Sequence, residues 1–443
     1  MNSNTQYIIF GAGKIGNQVL KYCRLCHFQV VAIADNNEQK WGTKIKGIKV
    51  IDPRDIKEKY QHCFFFVASY QYYADMQQQL NSLGISNDRI KAFVREEDIH
   101  KEIYKKKHIK ILTESKYLIF DQEHYLTGKY CVRKMCSYIQ CMYYKLLMNV
   151  FRPGIEKKKY HVSICAIFRD EADYLREWIE YHRLAGIEHF YLYNNFSKDN
   201  YMEVLAPYLE KDIVTLTQWE IPQGQMAAYE DCVSRFSHET NWFGFFDLDE
   251  FVVPNKYEKI GDFLAEFEGN RPLVLLYWKN FGTSGKVTRD VKNGLVIEDF
   301  TVGWYKYVDI GKLFFNTAYT YLPNSKHNRH MHYMWAKYKS LELPPINVFD
   351  KVCLYEFNPV KNDQMPVQLN HYLLKSYQEY AEKKAKRGGG VHKTGMHNEK
   401  YFVEHEEKSQ RLDLHAYKYL ILLKKRIKEC EENTILSEKE IKI

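Results

Sequence analysis

The sequence predicts an α/β protein built from two alternating modules joined by a basic helical segment. Strand and helix signals alternate at the start of the chain, and they alternate again, more regularly, between 161 and 251. The third observation is length: 443 residues exceed what one hydrophobic core encloses, about 250–300. Composition agrees with globular modules, since 45% apolar and 27% charged residues with only 22 Gly and 11 Pro exclude collagen-like, low-complexity and wholly disordered chains.

In the first module YIIF (7–10) reads as a short buried strand running into Gly11-Ala12-Gly13-Lys14-Ile15-Gly16 and a helix over 17–26. QVVAIAD (29–35) is a second strand ending in Asp35, CFFFVAS (63–69) a further one, and the Gln-rich stretch 75–82 a helix before Leu83-Gly84. This is half of a Rossmann-type parallel sheet, expected over 1–97. Residues 98–158 turn helical and basic, with Lys105-Lys106-Lys107 and Lys157-Lys158-Lys159 near the ends and Pro153-Gly154 as a breaker.

The second module is expected over 159–395. HVSICAIF (161–168) alternates as a strand, and Asp170 with Asp173 resembles a capping box for a helix whose Leu175, Trp178, Ile179 and His182 share one face. His182 therefore reads as a core imidazole. Strands HFYLYNN (189–195), IVTLTQW (213–219) and WFGFFDLDEF (242–251) follow, separated by helices over 200–209 and 225–236. Beyond 255 come strand-like pieces at 273–278 and 295–300, a loop with His327, His330 and His332, and helices after 373. A C-terminal tail, 396–443, carries a basic amphipathic helix over 412–430, expected to dock on the domain.

Charge and processing signals narrow the setting. Residues 101–160 hold fourteen Lys/Arg against five Asp/Glu, so the net +8 is local, and it fits attraction to an anionic membrane surface better than a groove for nucleic acid. No apolar run approaches the ~18 residues of a spanning helix, and the start lacks a basic leader region, so a cytosolic protein is expected, peripheral at the inner face of the cell membrane. Ten cysteines without metal-ligand spacing suit reduced thiols.

Two motifs carry chemistry. The first is Gly11, Gly13 and Gly16 between strand and helix, with Asp35 24 residues beyond Gly11. Such a cluster lets a backbone approach a diphosphate at a helix N-terminus while the acid holds ribose hydroxyls. No Tyr-x-x-x-Lys pair follows, so the reading is nucleotide binding without catalysis; a tight turn with helix–strand packing is the plainer alternative. The second is Asp247-Leu248-Asp249-Glu250, ending an aromatic strand at the carboxyl edge of a parallel sheet. Strand alternation would turn Asp247 and Asp249 to one side, a pair of hard oxygen donors suited to Mg²⁺ or Mn²⁺ bridging to a substrate diphosphate. Three acids so close should repel one another unless a cation intervenes.

From about 162 to 390 the chain resembles glycosyltransferase family 92, which has a GT-A fold. The motifs are FRDEADYLREWIEYHRLAGIEHFYLYNNFSKD (168–199), the helix from Gln225 to Cys232, WFGFFDLDEFVVP (242–254), WKNFGTSG (278–285), Lys312 and NHYLLKSYQEYAEKKAKRG (370–388). The resemblance implies inverting transfer of a sugar, galactose favoured, from a UDP-sugar donor to a glycan or lipid-linked glycan. Asp247, Asp249 and His371 would then hold Mn²⁺ or Mg²⁺. Arg169, Glu171, Asn194 and Asn195 would cradle the nucleoside, and Lys312 and Arg387 would face phosphate. An acceptor base is required, which the sequence does not identify; Asp290, Glu298 and Asp299 lie downstream of the FGTSG loop, with Asp290 the favoured candidate. Family members more often carry Arg-Asn-Glu and Asp-Asn where this chain has Arg169-Asp170-Glu171 and Asn194-Asn195.

The first module, through IIFGAGKIGNQV and VVAIADNN, resembles the nucleotide-sugar-binding domain ahead of bacterial sugar O- or N-acyltransferases. That pairing, with a Lys-, Tyr- and Asn-rich bias, implies a low-GC bacterium and cell-surface polysaccharide assembly. Two rival readings stay open: an NAD-dependent sugar-nucleotide oxidoreductase or epimerase using the glycine motif, and a non-catalytic nucleotide-sugar-binding protein.

Overall fold

The computed structural model describes residues 5–25, 28–69, 72–91, 128–323, 325–327, 332–354, 357–359, 364–385 and 398–440. The run Lys105-Lys106-Lys107 lies outside them. The chain forms two compact units, and Lys134 onward, including the end of the expected linker and the expected tail, belongs to the second.

The first unit is a six-stranded sheet. Strands β1 (Gln6–Phe10), β2 (Gln29–Ala34), β4 (Ile48–Ile51), β5 (Phe64–Val67) and β6 (Ile90–Lys91) are parallel, and β3 (Lys44–Ile45) pairs antiparallel with β4 at the edge. The order is β3-β4-β2-β1-β5-β6. Helices α1 (Lys14–Leu25) and α2 (Tyr73–Ser82) follow β1 and β5. Alternation sends Ile8, Phe10 and Phe65 into one core and Ile9, Ile33 and Phe66 into another, so both faces are covered and the strands read as unbroken apolar runs. The short strands β3, β4 and β6 lack that signature.

Helix α3 (Gly128–Val150) belongs to the second unit from Lys134 onward and is followed there by β7 (Tyr160–Phe168), α4 (Ala172–Leu184), β8 (His189–Asn194), α5 (Tyr201–Glu210), β9 (Val214–Gln218), α6 (Gln225–Phe236) and β10 (Thr240–Phe245). Strands β10, β7, β8 and β9 are adjacent and parallel. Later strands extend the sheet with mixed pairing: β11 (Glu250–Pro254), β12 (Leu273–Asn280), β13 (Gly311–Asn316), β14 (Ile346–Asn347) and β15 (Val367–His371) give the order β11-β15-β12-β13-β10-β7-β8-β9 with β14 beside β12, antiparallel at β11-β15, β12-β13 and β13-β10 and parallel where β12 meets β14 and β15. One large core, with Trp178, Trp242, Tyr191 and Tyr277 fully buried, binds helices to sheet.

Several expectations are corrected. The run 242–251 is two strands: β10 ends at Phe245, the acids occupy a turn, and β11 joins β15. LVIEDF (295–300) is a helical turn, Val296–Asp299, not a strand, because the buried Glu177 carboxylate accepts from Val296 N at 2.7 Å and Ile297 N at 3.1 Å. The α4 cap comes from Asp199, whose Oδ2 accepts from Ala172 N at 2.8 Å. Asp170 instead takes φ +50°, a left-handed conformation that Asp tolerates, and accepts from Lys198 N at 2.7 Å. The tail helix α7 (Leu420–Glu440) starts later than expected but docks as foreseen: Leu420 and Leu423 are buried and Arg426 reaches Glu180 on α4 at 3.4 Å.

Candidate active site

The acidic turn stands beyond the carboxyl end of β10, the crevice where open α/β sheets bind ligands. Gly244 is required there: a Cβ would fall 2.4 Å from the Phe246 ring and 2.8 Å from Phe314. The turn closes on itself, Glu250 N–H donating to Asp247 O at 3.1 Å and Asp247 N–H to Glu250 Oε2 at 3.0 Å. Leu248 is buried beneath it.

Pairing register then delivers the partners. Gly244 lies opposite Phe314, which brings Lys312 of β13 under the turn. Its Nζ sits 2.8 Å from Asp247 Oδ2 and 3.7 Å from Glu250 Oε2, with the side chain 0% exposed. Burial alone would depress the ammonium, but Asp247 and Glu250 outweigh it and hold Lys312 charged. Asp247 Oδ1 also accepts from Gln225 Nε2 at 2.7 Å, at the start of α6. Glu250 accepts from Trp278 Nε1 at 2.8 Å.

His371 lies opposite Glu250 on β11 and Asn280 on β12. Its Nδ1–H donates to Asn280 Oδ1 at 3.1 Å, which sets the tautomer and turns Nε2 to Asp249 Oδ2, 3.6 Å away. Lys384, at the end of a π-helical turn (Tyr380–Lys384), approaches the same oxygen at 3.5 Å. Burial would raise the Asp249 carboxyl, yet Lys384 and His371 override it and hold it well below the usual carboxylate range. The Trp278 ring lies 4.7 Å from both His371 and His332, and burial, aided by Lys312, pulls His332 down to about 3. The repulsion expected among three acids is thus answered by Lys312 on one side and Lys384 and His371 on the other.

The remaining predicted residues divide. Glu171, at the mouth of α4, has Oε2 3.9 Å from Lys375 Nζ; Arg169, beyond β7, is half exposed, 3.8 Å from Asp170. Asn194 donates to Gln218 Oε1 at 2.7 Å and Tyr201 OH at 2.9 Å, and Asn195 to Trp219 O at 2.7 Å, so both carboxamides pin loops at the sheet edge. An Asp at 194 could not make those donations. Asp290 is not brought to the turn: exposed, it accepts from Lys292 N, Asn293 N and Asn293 Nδ2 in a loop of its own. Those bonds hold its carboxyl low and make it a weaker base. His182 is the expected core imidazole, donating from Nδ1 to Trp178 O at 2.8 Å and accepting from Val252 N at 3.2 Å. His327 stacks on Trp335 at 4.0 Å, while Arg387 and His330 lie outside the described residues. Sequence reasoning did not single out Lys384, Gln225, Trp278 or Asn280 for a role at the turn. Strand pairing brings Trp278 and Asn280 there, the π-turn brings Lys384, and the start of α6 brings Gln225.

In the first unit Gly11 has φ +115°, and a Cβ on Gly16 would lie 1.9 Å from Gly11 O, so both are demanded by the turn itself. Gly13 faces open space. Asp35 clamps the loop: Oδ2 accepts from Ala12 N at 2.6 Å and Oδ1 from Asn37 N at 2.9 Å.

A mixed sheet with a carboxylate turn and a histidine beyond its parallel strands defines an α/β domain whose ligand crevice is polar and cation-balanced. The family model described as glycosyltransferase family 92 matches residues 158–416, more than half the chain. The protein belongs to that family. A second model, described as C2185-like, N-terminal, matches residues 3–91.

Relatives include a family 92 protein of Arabidopsis thaliana, 36% identical over 105 residues covering 22% of this chain and 18% of the relative. One of Oryza sativa subsp. japonica is 34% identical over 142 residues, 31% and 24% of the two chains. A beta-1,4-galactosyltransferase, galt-1, of Caenorhabditis elegans is 36% identical over 109 residues, 21% and 26%. The matched regions span about a quarter or less of these relatives' length. They come from plants and a nematode and lend the expected bacterial setting no support. Among solved structures, S. aureus TarS 1-349 in complex with UDP aligns at TM-score 0.24 and 14% identity over 36% of this chain and 47% of that one.

Proposed function

We propose that the second unit transfers a sugar from a UDP-sugar donor to a glycan or lipid-linked glycan acceptor, with inversion at the anomeric carbon. Family membership supports sugar transfer, and the galactosyltransferase relative favours galactose. The observation carrying the reading is the approach of Asp249 Oδ2 and His371 Nε2 to 3.6 Å beside the carboxyl ends of the parallel strands.

That spacing suits two neighbouring ligands of one Mn²⁺ or Mg²⁺, and Asp247 stands on the same turn. Among the described residues no three potential ligands already form a cage. An ion of this type commonly takes one or two carboxylates and completes its shell with substrate phosphate and water, which the donor set fits. When bound it would supply charge neutralisation for the departing diphosphate. The chain's own part is positional. Asn280 fixes the His371 tautomer, Lys312 and Gln225 hold Asp247, and Lys384 adds positive charge beside Asp249, where it would favour an anionic donor. The polysaccharide setting and a cytosolic position at a membrane face belong to the same proposal.

The test is thermal denaturation with UDP, with and without Mn²⁺, on the wild type and Asp249→Asn. A UDP-induced rise that needs Mn²⁺ and vanishes in the variant is expected. An equal rise in EDTA removes the metal, and an unchanged one in the variant removes the site.

A further inference from the structure

Helix α3 has two opposite apolar faces, and only one is packed among the described residues. Cys141 and Met148 are buried, Tyr138, Tyr144 and Leu147 pack on the core of the second unit, and Lys145 pairs with Asp350. Across the helix Met135, Ile139, Met142, Tyr143, Leu146 and Val150 are each 55% to 66% exposed. Their spacing keeps them within an arc of ~100° over a length of ~22 Å. Phe151 and Ile155 continue the stripe, 42% and 67% exposed. An ordered run of large apolar side chains in water marks an interaction surface.

Charge selects the partner. From 124 to 155 the sequence has no acid; apart from Lys145, which is engaged by Asp350, it holds Lys129, Arg133, Lys134 and Arg152, and exposed Lys157 and Lys159 follow. A two-fold contact with a second copy would set those cations against their own kind. The C-terminal helix α7 differs: its Leu420 and Leu423 are already buried and it carries Glu429, Glu431 and Glu432. No helix among the described residues is long and apolar enough to cross a membrane; an apolar stripe flanked by cations has the pattern of a helix that lies in the plane of an anionic surface.

We infer that α3 seats in the plane of an anionic lipid surface, its Met135-to-Val150 stripe among the acyl chains and its flanking cations on the headgroups. This assigns the membrane contact to one helix face and rests on nothing at the sugar site.

The experiment sediments the full-length protein with vesicles of phosphatidylcholine alone or with ~30% phosphatidylglycerol, at low and high salt. Wild type is expected to pellet with anionic vesicles, more weakly in high salt. Ile139→Glu/Met142→Glu/Leu146→Glu, all at exposed positions, should bind at least about tenfold more weakly with an unchanged melting temperature. Arg152→Gln/Lys157→Gln should lose the preference for anionic lipid. Wild type left in the supernatant, or a triple variant that binds undiminished, overturns the inference. So does a wild-type dimer, seen by light scattering, that ignores vesicles and that the triple variant splits.

Discussion

Lys312 decides whether the acidic turn is stable. Glu250 is 0% exposed, Asp247 35%, and the lysine between them 0%, so its removal strands one fully and one partly buried carboxylate. Breaking a buried pair costs ~3–5 kcal/mol, and the part exposure of Asp247 discounts this to about 2–3. Lys312→Met should therefore lower the urea-derived unfolding free energy by that amount. If the loss stays under ~1 kcal/mol while UDP affinity collapses, the lysine serves phosphate, as the family resemblance implied, and not the turn. Nothing local could have told the two apart. In GKLFFN the lysine is one cation in an apolar strand, and its partner, 65 residues earlier, is set by pairing between β10 and β13. His182 was legible for the opposite reason, since its helix face alone dictated burial.

Elements whose neighbours in space are also neighbours in sequence were legible. The parallel β10-β7-β8-β9 block alternates with its covering helices, and the pattern shows it. The antiparallel additions did not show, because β11, β13 and β15 owe their places to partners far along the chain. The end of β10 was misread for a related cause: the aromatic alternation continues through Phe246 and Leu248 although the backbone has left the sheet. The start of α4 makes the same point energetically. Its N-terminal amide is capped by Asp199, 27 residues away, not by the local Asp170 or Asp173. Asp199→Ala should cost ~1 kcal/mol in urea denaturation, and Asp173→Ala no more than ~0.5. Equal effects would return the cap to the local pair.

At the scale of the whole molecule, two units with separate cores should answer separately to damage, and this distinguishes the sugar-transfer reading from chemistry at the glycine motif. A methyl on Gly16 would sit 1.9 Å from Gly11 O, a backbone atom that cannot yield without reshaping the turn, whereas a methyl on Gly13 meets nothing within 4 Å. Gly16→Ala should destabilise the first unit by at least ~2 kcal/mol and lower one calorimetric transition. Gly13→Ala should leave both transitions in place. In the second unit the turn, His371 and Lys312 are held by contacts among its own residues, so Mn²⁺-dependent UDP binding should persist in Gly16→Ala at a temperature where that unit is folded. Loss of UDP binding in Gly16→Ala, or tight NADH binding by wild type that Gly13→Val abolishes while Asp249→Asn has no effect, would move the chemistry to the first unit.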